Sequence, residues 1–352
     1  MKKSVIIKVI ILLLIVTLSC NESINDPISI NVGRRDYKWR IDTLLVDNPF
    51  EFISRLDGFL DNNVWAYGSA GFWQYKNDQW TKNQFRLPNC WNMICLSDKD
   101  GWVSQADDGG LYKFNGSTWS LFGVFKYAGY KHQSIYDFYY KSPSQILAIG
   151  CVGNNDFPRY GIIMEFKGNK WEYIKNPDEE VEYYRIEMDR NGKYYIHAMQ
   201  QSVDYTKNPP LFLPELNKIY EYDGVKLKEI YSDYSFRIIS KIGDEVYFSE
   251  KNKLYKYKDN SFQLVYQLNE PEYDLYFNDG RSLRDVFLFG YNKSKSSPQY
   301  IMHFNGSDIK ILDSHKIIYS LYISENKIFI LSKDYENING MFPHYVKVGK
   351  LE

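Results

Sequence analysis

One unit recurs along this chain, and a repeat restricts the fold more than composition can. The unit is an apolar strand, a loop, a strand ending in aromatic-x-(Asn/Asp/Gly/Lys)-(Gly/Asn/Asp), and often a Trp that opens another strand. Its clearest copies are Val64-Trp65-Ala66-Tyr67-Gly68 with Trp73-Gln74-Tyr75-Lys76-Asn77-Asp78-Gln79-Trp80, and Trp102-Val103-Ser104 with Leu111-Tyr112-Lys113-Phe114-Asn115-Gly116-Ser117-Thr118-Trp119. Later copies centre on residues 146–150, 194–196, 246–248, 286–290 and 328–331. Each has an upstream strand, such as residues 91–96 or 319–323. Four short strands over about 40–50 residues make the blade of a β-propeller. Seven copies therefore predict an all-β chain folded as a seven-bladed β-propeller of four-stranded antiparallel blades. The Asn-Gly and Asp-Gly pairs between third and fourth strands supply the positive φ that tight hairpins need.

The ends of the chain fit that ring. The seventh unit stops at Glu352 one strand short, and an orphan strand with Trp39 precedes the first unit at residues 37–45. The expectation is that this N-terminal strand completes the last blade and removes two exposed edges.

Composition narrows the function. With 43 Lys+Arg against 44 Asp+Glu the net charge is −1, which argues against a nucleic-acid partner. Aromatics form 17% of the chain, 32 of them Tyr, as suits half-buried pleated surfaces. The N-terminus runs Lys2-Lys3, an apolar stretch, then Thr17-Leu18-Ser19-Cys20, the pattern of a secretory signal. The expected organisation is a signal peptide over residues 1–19, a flexible tether over 20–35 and the propeller over 36–352. Cys90, Cys95 and Cys151 remain, an odd number that excludes a complete disulfide framework, although Cys90 and Cys95 could pair across a turn.

Two resemblances add to this. Ser19-Cys20 resembles the lipobox of bacterial lipoproteins, with Thr17 in place of the usual Leu. That likeness implies acylation of Cys20 and a lipid bilayer as partner. Asn21, in place of the Asp that commonly retains such lipoproteins at the inner membrane, implies an outer-membrane-anchored protein facing the periplasm or the cell surface. The strand Trp39-Arg40-Ile41-Asp42-Thr43-Leu44 ahead of Val-Trp-x-x-Gly…Tyr-x-Asn-Gly-x-x-Trp repeats resembles lipid-anchored secreted β-propeller proteins of the Bacteroidota type over about residues 37–350. This second likeness implies a fold and almost nothing about chemistry. The Gly-His and Trp-Asp signature of WD40 repeats is missing.

In a propeller the loops between second and third strands, and those linking blades, open on one face, here called the upper face. Length variation falls there, at residues 152–160, 200–217, 291–300, 332–344 and the linker 123–133. Long loops on a regular scaffold are often functional. Their aromatic and polar residues give the candidate ligand-binding set: Tyr127, Tyr130, His132, Arg159, Tyr160, Tyr205 and Phe212. The competing reading is that these aromatics pin their own loops. No catalytic residue is selected: GxSxG is missing, no carboxylate pair stands out, and Asp107-Asp108-Gly109 lacks the alternation of a calcium loop. Neither a metal nor a cofactor is expected. The reading is a monomeric, membrane-tethered envelope binding or scaffold module, non-catalytic, recognising a glycan or protein partner through one face. The alternative is a propeller hydrolase or lyase acting on polysaccharide.

Overall fold

Each repeat folds into four antiparallel strands, and the seven units form a ring. One parallel bridge, Ile242 opposite Gly280, joins the fifth and sixth units into a single eight-stranded sheet. The computed structural model describes residues 33–352, apart from 88–89, 107, 155–156, 236, 295–297 and 334–340. The signal segment, Cys20, most of the tether and Asp107 fall outside the described residues. Blades 1 to 6 occupy residues 53–82, 90–124, 132–175, 182–233, 238–267 and 273–315. Blade 7 takes its three inner strands from Ile317–Ile323, Lys327–Lys333 and Phe342–Leu351. Its outermost strand is the N-terminal Tyr37–Val46, paired in one register from Tyr37 opposite Leu351 to Val46 opposite Phe342. The expected closure is what the structure has, and the chain's two terminal strands satisfy each other's edges.

The turn chemistry explains the regular lower face. Asn77 and Asp78 both have positive φ (51° and 60°), as do Asp259 and Asn260 (52° and 57°), the signature of a type I′ turn. In blades 2, 3, 4 and 6 glycine takes the left-handed position at Gly116, Gly168, Gly224 and Gly306.

Second strands are buried along both faces, because each blade is sandwiched between two others; Val64–Gly68 is buried at every residue. The core divides into seven clusters, one at each blade-to-blade interface. The repeated tryptophans knit these interfaces. Trp119, opening the fourth strand of blade 2, meets Trp65 of blade 1 edge-on at 5.7 Å, and Trp171 of blade 3 meets Trp102 of blade 2 at 5.3 Å. Trp80 of blade 1 meets Phe329 of blade 7 at 6.4 Å, carrying the same contact across the closure. Such pairs add about 0.5–1.5 kcal/mol each beyond area burial.

Ahead of the closing strand, Gly33 N–H donates to the Asn305 carbonyl, and Arg35 bonds the His303 ring and Asp308. Cys90, Cys95 and Cys151 are free thiols, so the possible bridge between Cys90 and Cys95 is not formed; the two stand at opposite ends of one strand.

Candidate functional site

The first strand of each blade lines the central channel and begins at the upper face. In five blades its pairing with the second strand is interrupted by a β-bulge near that upper end: between Ile53 and Arg55, Cys90 and Met93, Ile135 and Asp137, Tyr183 and Arg185, and Ile318 and Ser320. An extra residue breaks the strict in-and-out alternation and re-aims its side chain. The residues inserted in blades 2, 3, 4 and 7 include Trp91, Tyr136, Tyr184 and Tyr319, and each of these lines a cavity at the channel mouth.

These rings form two banks. Trp91 tilts against Tyr136 (centroids 5.1 Å), and Tyr136 stacks on Tyr184 at 4.8 Å with the planes 9° apart. On the other bank Phe52 stacks on Tyr319 at 6.5 Å, and Tyr319 on the buried His344 at 5.9 Å. The first bank is held from behind by a carboxylate. Glu182 Oε2 accepts from the Tyr136 hydroxyl (2.7 Å) and the Tyr184 hydroxyl (3.0 Å), with the Cys151 thiol 3.7 Å away. Burial, with Glu182 alongside, pushes both phenols and the Cys151 thiol up, so all three stay protonated and donate. A further aromatic pair, Tyr276 and Tyr291, borders an adjoining cavity on blade 6.

Below the mouth lies a belt of charge around a cavity of about 550 Å³. It contains Arg55, Asp57, Asp137, Arg185, Glu187 and Asp279. Much of this belt stitches blades together. Cys95 N–H donates to Asp57 (2.6 Å), Ile186 N–H to Asp137 (2.9 Å) and Lys241 N–H to Asp279 (2.8 Å), each from a neighbouring blade. Arg185 reaches past blade 5 and grips both oxygens of Asp279 (2.7 and 3.0 Å). Burial pushes the Asp57 carboxyl up to about 7, against the pull of the Cys95 and Gly58 N–H groups and helped by the Asp137 charge. Burial likewise pushes Glu187 up to about 7, although Arg185 opposes it. Arg55 is exposed in the mouth and makes no hydrogen bond or ion pair among the described residues.

The loop residues singled out in the sequence fall into two groups. Tyr127, Tyr130 and Tyr160 are packed together on the core between blades 2 and 3, with centroids 6.1 Å apart for the first pair and 5.8 Å for the second. The Tyr127 hydroxyl donates to Asn176 (2.8 Å), and its ring meets Tyr173 edge-on at 5.0 Å. These three hold the 125–131 linker to the blade top. His132 opens the first strand of blade 3 and is half-buried, as is Arg159 just ahead of the strand Tyr160–Lys167.

Tyr205 and Phe212 behave differently. The 201–215 segment carries a two-stranded hairpin of its own, Val203–Asp204 with Leu211–Phe212, paired to no blade. Tyr205 and Phe212 are both 60% exposed, with Leu211 and Leu213 also out in solvent. Phe157 of the neighbouring blade braces the hairpin: its ring meets Phe212 edge-on at 5.8 Å, and its carbonyl accepts from the Tyr205 hydroxyl at 3.2 Å. The sequence marks residues 200–217 as a long loop carrying Tyr205 and Phe212, but it announces neither the hairpin within that loop nor the channel mouth.

The fold recurs in solved structures at low identity. Streptogramin B lyase superposes with a TM-score of 0.58 at 10% identity, covering 88% of this chain and 97% of that one. YCF48 bound to D1 peptide gives 0.54 at 12%, covering 89% and 97%. BBS1N in complex with ARL6DN gives 0.54 at 10%, covering 91% and 98%. At these identities the likeness is one of fold. No protein-family model matches the sequence, and no curated protein does.

Proposed function

We propose that this chain is a non-catalytic binding and scaffold module of the cell envelope, tethered by acylated Cys20 and taking a protein partner on its upper face. One observation carries the reading: the hairpin at residues 203–212 exposes Tyr205, Leu211, Phe212 and Leu213 together, although the blades beneath it are complete without it. Several large apolar side chains exposed on one short hairpin are a mark of an interaction site. Tyr and Phe cover area with few rotatable bonds, which favours them as anchors. Propellers of this fold include YCF48 bound to D1 peptide and BBS1N bound to ARL6DN, which supports a protein as partner. Acylation rests on the Ser19-Cys20 pattern, and an outer-membrane position on Asn21 beside it.

Site-specific photo-crosslinking from position 212 in intact cells, followed by affinity measurement with the partner identified, tests the reading. Tyr205→Ala with Phe212→Ala should weaken association by about 1–3 kcal/mol and leave the fold intact. Unchanged affinity in that double variant overturns it. Mass spectrometry of the mature N-terminus and membrane fractionation of Cys20→Ala test the anchor, since the several chains of a lipoprotein hold far more firmly than one.

A further inference from the structure

The channel mouth is a second surface, distinct from the hairpin, and its chemistry points to a different ligand. We infer that it is a binding site for a neutral saccharide, whose ring faces pack on the Trp91 and Phe52–Tyr319 banks while its hydroxyls reach Arg55 and the belt beneath. This inference goes beyond the protein-binding reading of the loop hairpin.

Size and shape come first. The cavity bounded by Phe52, Trp91 and Tyr319 is about 580 Å³, and it shares Arg55, Tyr319 and Ser320 with the 550 Å³ cavity below. Both fall within the range of about 300–1,000 Å³ typical of small-molecule sites. Trp91 is 38% exposed and Phe52 43%, so ring surface is open to a ligand, while the Tyr136–Tyr184 stack behind Trp91 fixes its bank in place. A saccharide ring is one of the few water-soluble groups that presents a flat C–H face to an aromatic ring and hydroxyls at its edge.

Polarity then selects among ligands. Arg55 offers guanidinium donors that no described residue uses, and Glu187, Asn278 and Asp279 offer acceptors on the same cavity wall. A hydroxyl donates and accepts at once, so it suits a wall carrying both. A carboxylate ligand would meet Asp279 on the same cavity wall as Arg55, whose field Asp137 already shares. A cationic ligand would meet Arg55 and Arg185. The carboxyls of Asp57 and Glu187, held near neutrality by burial, further reduce the net field in the mouth.

The test uses the mature full-length protein on an array of neutral gluco-, xylo-, manno- and galacto-oligosaccharides, beside uronic-acid oligosaccharides and acidic and basic peptides. Calorimetry then measures the strongest hit. The expected result is a neutral oligosaccharide whose binding falls about tenfold or more in Trp91→Ala and by a smaller factor in Arg55→Ala. Trp91→Phe, which keeps a ring, should bind nearly as well as the original protein, and this separates lost stacking from a misfolded rim. Tyr205→Ala with Phe212→Ala should leave saccharide binding unchanged, so failure at the channel and failure at the hairpin are read separately. The inference is overturned if no neutral saccharide binds, if acidic sugars or peptides bind in preference, or if Trp91→Ala binds as well as the original protein.

Discussion

Trp39 and Gly349 face each other across the seam of the ring, so closely that a β-carbon on Gly349 would come within 2.8 Å of the indole. The ring has little room to retreat, because Tyr37 lies 5.4 Å away on one side and the Lys347 ammonium sits 4.7 Å over its face. Gly349→Ala is therefore expected to destabilise the protein by about 1–3 kcal/mol through overpacking. Combining it with Trp39→Ala should cost less than the two single changes added together, because the clash vanishes with the indole. Additive costs in denaturant titrations would mean that the seam does not depend on this pair.

Removing the closing strand is a harsher version of the same experiment. A chain beginning at residue 51 loses ten paired residues and bares the edge of Phe342–Leu351. It also uncovers Phe329 and Val346, which pack with Leu44 and Val46. The expected outcome is a loss of several kcal/mol, or aggregation through the unpaired edge, read by thermal unfolding and light scattering. An unfolding temperature equal to that of the longer chain would rule out a closing role for Tyr37–Val46.

Asn92 ties three blades together from a buried position. Its Oδ1 accepts from the Tyr67 hydroxyl of blade 1 (2.9 Å), and its Nδ2 donates to Asp137 (2.8 Å) and to the Tyr136 carbonyl (2.9 Å) of blade 3. Asn92→Leu would leave buried partners unmatched, each costing about 1–3 kcal/mol. A total loss of about 2–5 kcal/mol is expected from urea titration, with Asn92→Asp less severe only at low pH, where its carboxyl carries a proton. A loss below 1 kcal/mol would mean that water replaces the amide without penalty.

The blade number and the closing strand were legible because both are written locally. Turn pairs such as Asn77-Asp78 and Asp259-Asn260 encode their own backbone, and Trp65, Trp102 and Trp119 recur at fixed places in the unit. The channel mouth was not legible, because Trp91, Tyr136, Tyr184 and Tyr319 sit in strands and read as packing residues. What turns them into the mouth is a bulge, and no turn signal announces one. A signal did exist: an aromatic residue followed at once by a polar one recurs in these first strands, as Trp91-Asn92, Tyr136-Asp137, Tyr184-Arg185 and Tyr319-Ser320. The loop aromatics show the opposite limit. Nothing in the sequence separates Tyr127, which packs against Tyr173, from Phe212, which stands in solvent.

The belt also makes stability depend on pH in a way one substitution can expose. Burial holds Glu187 up to about 7, above its ordinary 4.5, so the folded state binds a proton that the unfolded chain has lost. Its contribution is full below about pH 4.5 and disappears as pH rises through 7. His197 and His344 act in the opposite sense. Burial lowers both to about 4 from 6.5, so the stability of their neutral forms is full above 6.5 and is lost as pH falls toward 4. Asp57, raised to about 7 from 3.8, acts in the same sense as Glu187. Over pH 4.5–6.5 two carboxyls therefore offset two histidines, and the stability of the unaltered protein should change little there. Glu187→Gln removes one of the two carboxyls. Its stability relative to the unaltered protein should rise between pH 4.5 and pH 8 by on the order of 2–3 kcal/mol, at about 1.4 kcal/mol per pKa unit. Urea titrations of both proteins at pH 4.5, 6 and 8 check this, and a constant difference across the three would show that Glu187 is an ordinary, already ionised carboxylate.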